Sequence, residues 1–129
     1  RQLVSETSSA YLKAGHLFTC NVSGELVCVE AKSGRLIWAT NQVAKATNGG
    51  CIHLIPNGPF EWLLNEQGEL ILARLTPRKY EELGRVPFIK PTSPYGPARM
   101  AWTAPAFANR CMFARNDEEL LCVSLAAEK

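Results

Sequence analysis

The sequence predicts an all-β fold assembled from copies of one antiparallel unit, and three observations carry that prediction. A Leu-centred apolar segment recurs as GELVCV from Gly24, GELILA from Gly68 and EELLCV from Glu118, which places Leu26, Leu70 and Leu120 44 and then 50 residues apart. Neighbouring positions in these segments are apolar, whereas a strand wetted on one side would alternate apolar with polar. Turn residues flank the units at matching distances: Ala14-Gly15, Asn57-Gly58 and Ala108-Asn109 on one side, Asn21 to Gly24, Asn65 to Gly68 and Asn116-Asp117 on the other. These residue types tolerate the positive φ that tight hairpins need.

Each unit opens with a short extended segment, at Ser8 to Leu12, Ile52 to Ile55 and Trp102 to Ala106. A turn then leads into HLFTC, FEWLL or RCMFA, a second strand in which Phe18, Trp62 and Met112 share one register. The third strands are the Leu-centred segments themselves. A fourth follows in the first unit as RLIW and in the second near Tyr80 to Val86. At that last place Thr76, Pro77 and Gly84 stand as the N-cap, N1 and C′ residues of a short helix would. The repeat register prevails over those cues and predicts a strand. Pro87 to Arg99 holds four prolines and reads as a long connection without a regular element.

Antiparallel strands covered on both faces require sheets stacked on either side, and a radial array of four-stranded blades supplies them. The prediction is therefore a partial β-propeller of about three four-stranded antiparallel blades, with units at about 8–43, 51–86 and 102–125. The last blade lacks its outermost strand. RQLVS at the start reads as the outer strand of a preceding blade, and the absence of an initial Met predicts a fragment of a longer chain.

Composition narrows the function classes. The 129 residues are 47% hydrophobic and 20% charged, with a formal net charge of +2. Lys and Arg are scattered, so no nucleic-acid partner is predicted. No apolar run approaches the roughly 20 residues that cross a bilayer. The five cysteines form no C-x-x-C, and the two histidines, His16 and His53, stand far apart, so no metal ligands are predicted. Cys28-Val29 and Cys122-Val123 occupy matching contexts and read as small core hydrophobes rather than a disulfide framework or a nucleophile. Neither G-x-S-x-G nor a Gly-rich phosphate loop occurs, and no catalytic residue is assigned. Asn21-Val22-Ser23 is formally a glycosylation triplet but sits where turn chemistry is needed.

VCVEAKSGRLIW, Val27 to Trp38, resembles the tryptophan-docking repeat of pyrroloquinoline-quinone (PQQ)-type β-propellers. Cys28 takes its small position, Glu30 the acidic one, Ser33 and Gly34 the turn, Arg35 the basic one and Trp38 the docking Trp. The logic is physical: Gly34 permits a tight turn, Trp38 packs on a neighbouring blade, and Glu30 with Arg35 fastens the two strands. The second unit has Arg74, Pro77, Arg78 and Glu82 at the equivalent positions. NEQGELILARLTPRKYEEL and TAPAFANRCMFARNDEELLCVSL look like the C-terminal blades of bacterial outer-membrane-assembly-factor-like propellers.

The resemblance implies a non-enzymatic scaffold of the periplasm or cell envelope, holding a protein partner through its loops and requiring no cofactor. The alternative is a fragment of a quinoprotein dehydrogenase, for which PQQ with calcium would be the cofactor. Its adjacent cysteines and Asp/Asn calcium cluster have no counterpart in this sequence. Within the propeller reading, Ser9, His53 and Thr103 fall at one register of the innermost strands and are candidates for the channel wall. Tyr95 and Arg99 in the Pro-rich connection are candidates for partner contact. Three blades cannot close a ring, so the chain is expected to self-associate through its open blade faces.

Overall fold

The computed structural model describes residues 7–45 and 50–127, and within them the chain is all-β. Its strands are β1 (Tyr11–Lys13), β2 (His16–Cys20), β3 (Leu26–Glu30), β4 (Leu36–Thr40), β5 (Ile52–Asn57), β6 (Phe60–Asn65), β7 (Glu69–Leu75), β8 (Tyr80–Pro87), β9 (Ser93–Tyr95), β10 (Ala98–Met100), β11 (Ala106–Ala108), β12 (Cys111–Arg115) and β13 (Leu120–Ser124). They form four antiparallel sheets: β1-β2-β3-β4, β5-β6-β7-β8, the hairpin β9-β10, and β11-β12-β13. The proposed N-terminal strand at RQLVS lies outside the described residues.

The predicted strand near Tyr80 is β8. Thr76 does cap a local turn, its Oγ1 accepting from the N–H groups of Arg78 and Lys79 at 3.2 Å, but no helix follows. Pairing along β7 outcompetes the local helix cues. The Pro87 to Arg99 segment departs from expectation, since it contains β9 and β10. Pro94 sits in β9, on a two-stranded ribbon where a missing N–H costs no ladder bond to a third strand.

The first two sheets are copies at a constant spacing. Tyr11 pairs with Phe18 as Ile55 pairs with Trp62, and Phe18 pairs with Cys28 as Trp62 pairs with Leu72. Even the β-bulge recurs, between Cys28 and Val29 and again between Leu72 and Ala73. Only the fourth strands differ. Cys28 faces Trp38, but Leu72 faces Gly84, so the longer β7–β8 turn puts Gly84, not Glu82, at the tryptophan position.

The third sheet is offset by one residue. Phe113, not Met112, pairs with Cys122 and with Ala106, and therefore stands where Phe18 and Trp62 stand. The cause is a shorter turn. Asn21-Val22-Ser23-Gly24-Glu25 and Asn65-Glu66-Gln67-Gly68-Glu69 each contain a glycine at positive φ, 79° and 76°, whereas Asn116-Asp117-Glu118-Glu119 has lost that residue. No positive φ occurs at Asn116 or Asp117. Because side chains alternate between faces, one missing residue exchanges the faces of everything upstream.

Two apolar clusters bind the sheets into a stack. Phe18, Cys20, Leu26 and Cys28 of the first sheet meet Leu54, Leu63, Ile71 and Leu75 of the second. Leu64 and Leu70, on the other face of the second sheet, meet Met112 and Ala114 of the third, with Ile89 and Ala101 of the connection. The second sheet is thus covered on both sides, which is why Leu70-Ile71 can be apolar at consecutive positions.

Candidate functional site

The β3–β4 hairpin from Cys28 to Trp38 is held by contacts among its own side chains and with the second sheet. Gly34 adopts φ +71°, Ser33 Oγ donates to Glu30, and Arg35 lies 3.7 Å from the Glu30 carboxylate. The Ser33 hydrogen bond and then the Arg35 charge hold the Glu30 carboxyl below its ordinary range. Trp38 reaches across to the second sheet, where Nε1–H donates to the Thr76 carbonyl at 3.0 Å, and its ring lies 5.9 Å from that of Phe18. Trp38→Phe keeps the ring packing and removes the donor. It should cost about 1 kcal/mol in urea unfolding with an unchanged m-value, and an unchanged midpoint would show that the indole N–H contributes nothing.

The most elaborate polar chemistry lies at the junctions between sheets. In every unit the turn asparagine folds its Oδ1 over the turn, accepting from Ser23 and Glu25, from Gln67 and Glu69, or from Glu118 and Glu119. Asn21 Nδ2 donates to Glu25 Oε2 at 2.8 Å, but in the second and third units Nδ2 reaches backwards. Asn65 donates to the Val43 carbonyl at 2.8 Å and Asn116 to the Lys90 carbonyl at 2.9 Å, each a residue of the connection that precedes its own sheet. Gly68 completes the second junction. Its carbonyl accepts from Phe88 and Ile89, and a Cβ there would lie 1.7 Å from the Ile89 oxygen.

The residues after Asn65 and Asn116 also face the preceding connection. Asp117 accepts from Ser93 Oγ at 2.6 Å and Thr92 Oγ1 at 3.3 Å. Glu66, its counterpart, is 2% exposed, and among the described residues neither carboxylate oxygen has a partner in good hydrogen-bond geometry. Burial raises its pKa, although the backbone N–H groups of Glu66, Cys51 and Lys45 approach closely enough to oppose the rise. Between the first two sheets lies a further buried carboxylate, Glu61. Lys13 Nζ donates to Glu61 Oε1 at 2.5 Å and to the Leu75 carbonyl at 3.2 Å, while the Leu75 N–H donates to Glu61 Oε2 at 2.9 Å.

Of the three proposed channel residues only His53 lies in a strand, β5, while Ser9 precedes β1 and Thr103 precedes β11. Ser9 is exposed, its carbonyl accepting from Thr19 Oγ1 at 3.5 Å, and Thr103 is half-buried. His53 is buried, with Nε2 2.8 Å from the Trp102 carbonyl and 3.4 Å from Cys51 Sγ. A carbonyl accepts only, so Nε2 carries the proton, and burial holds the ring neutral by lowering its pKa.

Tyr95 and Arg99 are tied into the β9–β10 hairpin. The Tyr95 ring meets Trp102 edge-on at 5.2 Å, and Arg99 Nη1, on an otherwise exposed side chain, donates to the Thr92 carbonyl at 2.8 Å. The cysteines are all free thiols. Cys20, Cys28 and Cys51 are buried, and burial lifts Cys20 to about 12 and Cys28 to about 11. Cys122 departs from the expected core role, being exposed. It occupies the register of Cys28, but on a sheet whose corresponding face meets no further sheet among the described residues.

Sequence reasoning found the turn asparagines as turn formers and missed their backward-reaching donors. It missed Glu61 and Glu66 altogether, since isolated acids carry no spacing signal. Among the described residues no group of three or more His, Cys, Asp and Glu side chains is arranged to hold a metal ion, and no helix is long and apolar enough to cross a membrane. No protein-family model matches the chain, and no curated protein matches it significantly.

Proposed function

We propose that this chain is a run of three blades from a β-propeller of the PQQ-like repeat type, acting as a non-enzymatic scaffold that binds a protein partner. One observation carries the reading. Leu26, Leu70 and Leu120 hold the same register and face, yet they are 0%, 4% and 71% exposed. Each of the first two is covered by the sheet that follows; among the described residues no sheet follows the third. Phe113 and Cys122 share that uncovered face, so the third sheet presents the surface that its predecessors bury.

A sheet patterned for two-sided burial and covered on one side seeks a partner. In the parent ring that partner is the next blade. In the isolated chain it is another copy, through the Leu120 face. Light scattering during size-exclusion chromatography should therefore report an assembly larger than one chain. Leu120→Glu should return it to a monomer without loss of β-sheet circular dichroism. A folded monomer at the highest soluble concentration would remove the support for this reading.

A further inference from the structure

Between the second and third sheets, at the end carrying the β5–β6 and β11–β12 turns, lies a half-open cavity of about 390 Å³. Ile55, Trp62, Phe107 and Leu125 give it apolar walls, and Asn57 and Arg110 also line it. Phe107 is 36% exposed there although its register faces the second sheet, because the cavity separates it from close packing. Volume and lining both suit a small organic molecule with a flat apolar body.

Arg110 supplies the second observation. It lines the cavity, and among the described residues no carboxylate lies within ion-pair distance of it, as is also true of Arg78, Arg99 and Arg115, none of which lines the cavity. It is also held in an unfavourable backbone conformation. Asn109 and Arg110 form the two-residue β11–β12 turn with φ of 51° and 59°, and in the matching β1–β2 turn the second position is Gly15 at φ 74°. Glycine suits that left-handed position, and any other residue with a Cβ is strained there. Backbone strain of this sort, at the rim of a cavity, points to a role for the side chain that endures it.

We propose that this cavity binds a small aromatic monocarboxylate, its ring between Trp62 and Phe107 and its carboxylate on the Arg110 guanidinium. A guanidinium receives a carboxylate through two parallel N–H···O bonds, which a neutral amide cannot match. Both walls belong to this chain, so the site does not depend on closure of a ring.

The probe is 3-phenylpropionate, titrated into the full chain and followed by amide and indole NMR shifts, beside 3-phenylpropanamide. The carboxylate should perturb the Trp62 indole and the Phe107 and Leu125 amides, with the amide binding about tenfold more weakly. Arg110→Gly should abolish that preference and yet raise Tm by about 4 °C, because it relieves the turn. Arg110→Lys, which keeps charge and strain, should retain part of the preference. Equal binding of acid and amide, shifts that avoid Trp62 and Phe107, or an Arg110→Gly variant with unchanged affinity would each overturn the assignment. If an acetylated dipeptide ending in a free phenylalanine carboxylate displaces 3-phenylpropionate, the natural ligand is a chain end; if not, it is a free metabolite.

Discussion

Lys13→Met is expected to destabilise the protein by about 3 kcal/mol, the low end of the range for breaking a buried ion pair. The Lys13 side chain is 29% exposed and can be approached by water, but Glu61 is 0% exposed and would keep one hydrogen bond, from the Leu75 N–H. A carboxylate left in that position has neither solvent nor counter-charge. The loss should therefore come from the stranded anion rather than from the missing methylene-ammonium group. The double variant Lys13→Met/Glu61→Gln separates these terms, since Gln keeps an acceptor for Leu75 and carries no charge. It should recover most of the loss, giving a coupling energy well outside additivity. Urea unfolding of the four proteins measures it, and a Lys13→Met variant within 0.5 kcal/mol of the parent, a bound on the order of surface-substitution effects, would show that the pair is inert.

Glu66→Gln should do the opposite and stabilise the protein at neutral pH, because it keeps the side chain's size and removes the charge from a desolvated position. The effect has a definite pH dependence. Desolvation raises the folded-state pKa of Glu66 above its ordinary value of 4.5. Below 4.5 both folded and unfolded chains hold the proton and no penalty operates. As pH rises from 4.5 through the folded pKa, the unfolded chain releases its proton first, so stability falls with pH until the folded state ionises too. The advantage of Gln over Glu should thus vanish under mild acid and be complete above the folded pKa. Thermal unfolding of both proteins across that window tests it. A Gln variant whose advantage persists at low pH would mean that packing, not charge, sets the difference.

How far the sequence reveals this molecule depends on turn length. Where the repeat keeps its five-residue turns, a single spacing relates equivalent positions of the first two sheets correctly, because alternation fixes the whole ladder once one pair is known. Where one glycine is missing, the same spacing still placed Leu120 correctly but misplaced Met112 by one residue and hence by one face. The Glu30, Ser33 and Arg35 contacts were legible because those residues interact within one hairpin turn. Glu61 and Glu66 were not, because their surroundings come from distant strands: Lys13 lies 48 residues from Glu61. Arg110 was also visible only as an arginine. Its strain becomes apparent when the β11–β12 turn is laid over the β1–β2 turn, where glycine stands instead.

The backward reach of Asn65 and Asn116 gives the stack a polarity. Every latch is carried by the younger sheet and closes on the connection already made before it. During synthesis the second and third sheets therefore each emerge with a clasp and find its anchor waiting. Shortening such a chain from its C-terminal side leaves every remaining clasp shut, whereas trimming from the N-terminal side leaves the first survivor grasping at solvent.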